Sequence, residues 1–102
     1  MKFQLVLQFA VAGIRQFDEL VALEEELIQT LPPTSEIDGH DFGAGEFNIF
    51  VLTDQPREIF EAARKLIMKS PFEKELRAAY REQGRDDYVI LWREHLEEFR
   101  LA

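Results

Sequence analysis

Cysteine is absent from this chain of 102 residues, and with it go disulfide frameworks, thiol catalysis, zinc ribbons and iron–sulfur clusters. Basic side chains are scarce relative to acidic ones: 12 Lys and Arg stand against 20 Asp and Glu, a formal net charge of −8. Nothing resembles the basic stripe that a phosphate backbone requires, which argues against a nucleic-acid partner. Long apolar runs are missing too. The longest uncharged stretch, residues 3–14, falls well short of the ~20 residues that span a bilayer. No repeat, linker or low-complexity tract breaks the chain into parts.

What is present is the material for a core. Hydrophobic residues make up 46% of the chain and include nine Phe, a composition that excludes disorder. For a chain of this mass, surface scaling gives roughly 6,000 Å² folded against about 17,400 Å² extended, so about two-thirds of the surface can be buried. One domain, 1–102, follows. Lys2 and Ala10-Val11-Ala12 fit an export signal only loosely. Gln4 and Gln8 interrupt that apolar stretch with a two-residue period, which is the mark of a strand. The expectation is a soluble cytoplasmic protein without a membrane partner.

Alternation over 2–9 places Phe3, Leu5, Leu7 and Phe9 on one face and Lys2, Gln4, Val6 and Gln8 on the other, a half-buried strand. Residues 10–15 read as a connection. A helix then runs to about Thr30 with Phe17, Leu20, Val21, Leu27, Ile28 and Leu31 on its apolar stripe, and Pro32-Pro33 stops it. Residues 35–42 are a weak, polar strand. Gly43-Ala44-Gly45 marks a hairpin turn into a strong strand over 46–53. Asp54 suits an N-cap and Pro56 a first helical turn. Ile59, Phe60, Ala63, Leu66 and Ile67 then complete an amphipathic helix.

Residues 70–84 carry two competing patterns. Ser70-Pro71-Phe72-Glu73 has the form of a capping box, and Gly84 that of a helix C-cap, yet Leu76, Ala78 and Tyr80 alternate with Arg77, Ala79 and Arg81. The expectation is a helical turn at 70–74, then a hairpin into a strand over 88–92, with a short terminal helix over 94–99. Glu24-Glu25-Glu26 reads as a solvated helix face. Strand, helix, two strands, helix, strand, with an extra C-terminal hairpin strand, is the βαββαβ pattern of a ferredoxin-like α+β sandwich: two helices on one face of an antiparallel sheet. The crossover rule sets the first and third strands side by side in its centre.

The densest polar cluster is Asp38-Gly39-His40-Asp41, with Glu46 across the hairpin. Asp38, His40 and Glu46 are the candidate metal or acid–base residues. Strand alternation sends Asp41 to the face opposite Asp38 and His40, so one ion is not gripped without a bulge; the competing reading is turn-forming, edge-protecting side chains. His95 suggests nothing specific. Gly43-Ala44-Gly45 is not a dinucleotide fingerprint, because Asn48 holds the third glycine position and a strand follows. There is no phosphate-binding Walker sequence, and no Ser or Thr has an adjacent His and acid. An RNA-binding sheet would need aromatics in a basic setting, whereas Phe50 is flanked by Gln4, Gln8 and Asn48. No cofactor is implied.

The run from Asp38-Gly39-His40-Asp41-Phe42 through Gly43-Ala44-Gly45-Glu46-Phe47-Asn48 to Thr53-Asp54 resembles small uncharacterised bacterial proteins with a ferredoxin-like α+β pattern. Ala79-Tyr80-Arg81-Glu82 ahead of 88–92 is similar to them too. The likeness covers under half the chain. It implies a hairpin over 38–54 and a bacterial cytoplasmic setting, and it carries over no activity, cofactor or functional residue.

Two functional expectations follow. The first is a non-enzymatic interaction or regulatory module, acting as a homodimer or by binding a basic protein in the manner of an immunity protein, where acidity steers association. The sheet face away from the helices carries Val6, Phe50 and Leu52, and the strand over 88–92 adds either Val89 and Leu91 or Tyr88, Ile90 and Trp92; Val6, Phe50, Leu52 and Trp92 stand for this face. These are the candidate interface residues, since apolar patches of several hundred Å² mark interfaces. Either a second copy or the segment after Trp92 folding back would cover them. The second expectation is a small-molecule binder or enzyme of the dimeric α+β-barrel type with its site near His40.

The helix over 56–67 yields a direct test of this pattern. Phe60→Ala should lose about 3–5 kcal/mol in urea unfolding, as a large-to-small core change does. A loss under about 1 kcal/mol would mean that Phe60 does not face the sheet.

Overall fold

Alternating Phe and Leu in the first segment form β1 (Phe3–Ala10), the central strand of the sheet. In chain order follow α1 (Ile14–Thr30), β2 (Ser35–Gly43), β3 (Glu46–Thr53), α2 (Pro56–Ile67), a 3₁₀ turn at Glu73–Glu75, β4 (Arg77–Glu82) and β5 (Val89–Trp92). The computed structural model describes residues 1–11, 13–93 and 98–101. The strands make one five-stranded sheet in the order β2-β3-β1-β4-β5, antiparallel at every junction. Both helices lie on one face. There Leu5, Leu7 and Phe9 meet Phe47, Ile49 and Val51 of β3, Leu20, Leu23 and Leu27 of α1, and Ile59, Phe60, Ala63 and Ile67 of α2. Among the described residues no helix is long and apolar enough to cross a membrane.

The competition over 70–84 is resolved in favour of the hairpin. Ser70 does not box with Glu73: its hydroxyl donates to the Ile67 carbonyl at 2.6 Å and accepts from the Phe72 amide at 3.2 Å. It therefore closes the end of α2, and the 3₁₀ turn starts three residues later than expected. Gly84 takes a positive φ of 86° in the β4–β5 connection and caps no helix. Asp54 is not the N-cap of α2 either. Its carboxylate accepts the Lys2 amide at 2.7 Å, while the Thr53 hydroxyl accepts the Gln55 amide and donates to the Thr34 carbonyl, both at 2.9 Å. The expected terminal helix falls mostly on 94–97, outside the described residues; 98–101 follow no regular form.

Two register shifts alter what the strands present. Ile37 pairs with Val51 but Gly39 with Phe50, so Asp38 is the extra residue of a bulge. Ala79 pairs with Ile90 but Ala78 with Trp92, so Leu91 is extra in β5. A single inserted residue reverses the facing of everything beyond it. Trp92 is accordingly on the helix side, 6.5 Å from the Phe60 ring and beneath Arg64, rather than on the open face with Tyr88 and Ile90. In α1, Ile28 is exposed and Leu23 takes the buried position expected of it.

The β2–β3 turn is tighter than a three-residue link. Only Ala44 and Gly45 separate the strands, with φ of 51° and 75°, the two left-handed residues of a type I′ hairpin. Glycine bears this freely; alanine pays roughly 1–2 kcal/mol for its Cβ. Ala44→Asn, a residue that tolerates the conformation, should raise unfolding stability by about 1 kcal/mol at unchanged m-value. Denaturant titration showing destabilisation would contradict this turn geometry.

Candidate functional site

Among the carboxylates of α1, Glu24 is the buried one, 6% exposed; Glu25 and Glu26 are exposed as expected of a solvated face. Glu24 lies one turn from Leu20 and three residues from Leu27, inside the helix's apolar stripe, so it is carried against the sheet. Its Oε1 meets His40 Nδ1 of β2 at 2.8 Å, and its Oε2 is buried without a hydrogen-bond partner among the described residues. The His40 ring stacks on Phe47 at 4.7 Å and 19° and meets Phe17 edge-on at 6.0 Å, leaving 30% of its side chain exposed. Carboxylate and rings together fix the imidazole's orientation, with the Nδ1 edge committed to Glu24.

The three residues expected to share a metal do not converge. His40 faces the helices, Asp38 is exposed at the bulge, and Glu46 is on the opposite face, where Gln8 Nε2 approaches its carboxylate at 3.5 Å. No group of three or more metal-ligating side chains occurs among the described residues. Glu24 is hidden in the sequence by Glu25 and Glu26, with which it forms one charge run. Its helical phase, shared with Leu20 and Leu27, was the available signal.

Next to the His40 cluster, at the start of α1 and the tip of the β2–β3 hairpin, Val11, Gly13, Ile14, Phe17 and Phe42 line an open groove of about 400 Å³. Ile14 is 81% and Phe42 51% exposed, while Phe17 holds Phe42 from below at 5.4 Å, edge to face. The surroundings are acidic. Residues 1–55 contain ten carboxylates and two basic side chains, whereas residues 56–102 contain ten of each. The formal charge of −8 thus belongs to the half of the chain that builds α1 and β2. Asp18, Glu19, Glu25 and Glu26 are exposed along α1, and Glu36, Asp38 and Asp41 along the edge strand β2.

The open sheet face is arranged differently from a bare patch. Val6 is fully buried there with Ala79 and Phe99, and Phe50, Tyr88 and Ile90 pack around them. The Phe99 and Tyr88 rings are 5.1 Å apart. Gln8 Nε2 donates to the Arg100 carbonyl at 2.9 Å and to Asn48 Oδ1 at 3.1 Å, and Asn48 Nδ2 donates to Asp41 at 3.0 Å. Of the expected interface residues, Val6 is covered by the chain's own C-terminal segment, Phe50 and Leu52 stay half-buried, and Trp92 is on the other face. No family model matches the chain, and neither a curated protein nor a solved structure matches it.

A buried carboxylate with one oxygen unpartnered depends on its single hydrogen bond. His40→Phe, which keeps the ring stack and removes that bond, should lose about 1–3 kcal/mol. Glu24→Leu in the same chain should restore most of it. Equal losses for His40→Phe with Glu24 or Leu at position 24, measured by urea unfolding, would show that the pair contributes no coupling.

Proposed function

We propose that this domain is a non-enzymatic interaction module whose acidic flank, α1 with β2, engages a basic protein. The single observation behind this reading is the concentration of negative charge on that flank, where Asp18, Glu19, Glu25, Glu26, Glu36, Asp38 and Asp41 are exposed against one basic side chain, Arg15, beside an open groove with two exposed apolar side chains. A field of one sign on one flank accelerates encounter with an oppositely charged surface and orients it. Apolar side chains at its centre supply what charge alone does not, since rim charges change rates more than affinity. The concrete form is an immunity-type role, in which the flank masks the working surface of a basic protein in the cytoplasm.

The sheet order, with β1 and β3 adjacent and β2 at one edge, supports a ferredoxin-like reading in which β5 extends the β4 edge. Such a sandwich hosts many activities, so the functional argument rests on the flank and not on the fold. Phe99 over Val6 occupies much of the face that a sheet-to-sheet homodimer would use, which favours the basic-partner form over the dimer. His40 is tied to a buried carboxylate and has neither Asp38 nor Glu46 beside it, which favours an interaction role over a catalytic one.

Charge reversal separates this flank from the rest of the surface. Asp18→Lys, Glu25→Lys and Glu36→Lys together should abolish retention of the chain's basic partner from its source cells. Glu58→Lys, Glu61→Lys and Glu73→Lys, which change the net charge equally on the other half, should leave that retention intact. Quantitative mass spectrometry of both captures decides the matter. Equal loss from both triple variants, or retention by the first, would sink the proposal.

A further inference from the structure

The groove beside the acidic flank has a shape that charge does not explain. Ile14 and Phe42 stand out from two different elements, one at the first position of α1 and the other near the end of β2, and Phe17 floors the space between them. Phe17 is itself braced by Phe47 at 5.4 Å, which belongs to the buried core, so the floor is rigid. The β2 side is anchored one pair further on, where His40 is clamped by Glu24 and Phe47. An apolar side chain entering here would bury Ile14 and Phe42 against a preformed wall, the arrangement that gives a central anchor its energy in an interface.

The carboxylates decide what carries that anchor. Asp18 follows Ile14 by one helical turn and is exposed, with Glu25 and Glu26 exposed further along the same helix. Asp41 turns instead to the opposite face of the sheet, where Asn48 donates to it. Arg15, the basic residue nearest the groove in sequence, is drawn to Glu19 at 3.3 Å. A second copy of the chain would bring another net charge of −8 against the same acidic helix, and an anionic lipid surface would be repelled for the same reason. From this we infer that the groove seats one large apolar side chain of the partner, set within a basic segment whose lysines or arginines reach the exposed carboxylates along α1. This rests on the proposed function and specifies its recognition element: a basic segment with an aromatic or large aliphatic anchor, in place of a basic surface in general.

Two fluorescein-labelled synthetic peptides of identical charge test it, lysine throughout except for a central Phe in one and a central Ala in the other. At low ionic strength, anisotropy titration of the full chain should give the Phe peptide an affinity about tenfold or more above the Ala peptide, as burial of one Phe implies. That ratio should fall to about one with Ile14→Ser/Phe42→Ser, and at least severalfold with Ile14→Ser alone. Both substitutions alter exposed side chains and leave every charge in place, and circular dichroism confirms that the variants fold. If both peptides bind the unaltered chain equally well, the anchor inference fails while the electrostatic reading stands. If neither binds, the proposed function fails and this inference with it. A Phe preference that survives the double substitution would place the anchor elsewhere and overturn the assignment of this groove.

Discussion

The structure depends on β1 being dry on both sides. Leu5, Leu7 and Phe9 are buried under the helices, and Val6 and Gln8 are buried on the face where an open sheet would meet water. β1 is also hydrogen-bonded to a neighbour at each edge, so it offers no surface of its own. A strand enclosed in this way obliges its polar side chains to find partners inside the protein. Gln8 does so through Asn48, Glu46 and the Arg100 carbonyl. The demand of one amide thus draws the C-terminal segment across the sheet, with Phe99 settling over Val6.

The same economy runs through the other half of the molecule. α1 is held to the β2–β3 pair by leucines and by a polar contact, Glu24 with His40, set against the rings of Phe17 and Phe47. A buried ionisable pair is weak evidence of stability, because desolvation offsets much of what the contact contributes. Its more general effect is to fix relative position. Here it ties the edge strand to the helix on the side of the domain that carries the groove and the exposed carboxylates of α1.

Much of this was legible in the sequence because periodicity reports facing. β3 matches its expected bounds, α2 buries Ile59, Phe60, Ala63 and Ile67 on the expected stripe, and strand alternation outweighed the capping signals over 70–84. What escaped are effects that periodicity does not encode. The extra residues at Asp38 and Leu91 shift register without leaving a composition signature, and the second of them moves Trp92 to the opposite face. Glu24 was hidden by its neighbours, although its position relative to Leu20 and Leu27 carried the information. Asp54 looks like a cap, but Lys2 at the far end of the chain competes for its carboxylate, and no local rule anticipates a partner so distant in sequence. Of the expected site, His40 is held in a fixed orientation, but by Glu24, Phe17 and Phe47 rather than by Asp38 or Glu46.

Strand order converts an asymmetry along the chain into one across space. Because β2 and β3 form one margin of the sheet and β4 and β5 the other, the carboxylate excess of residues 1–55 lies toward one margin while most arginines lie toward the opposite one. The domain is therefore an electric dipole as well as an anion. A uniform field exerts no torque on a monopole, but it turns a dipole, and rotation of so small a body is fast compared with its diffusion over many diameters. Within about a Debye length of a charged surface, ~8–10 Å in physiological salt, such a molecule is turned by the field, which biases which side touches first.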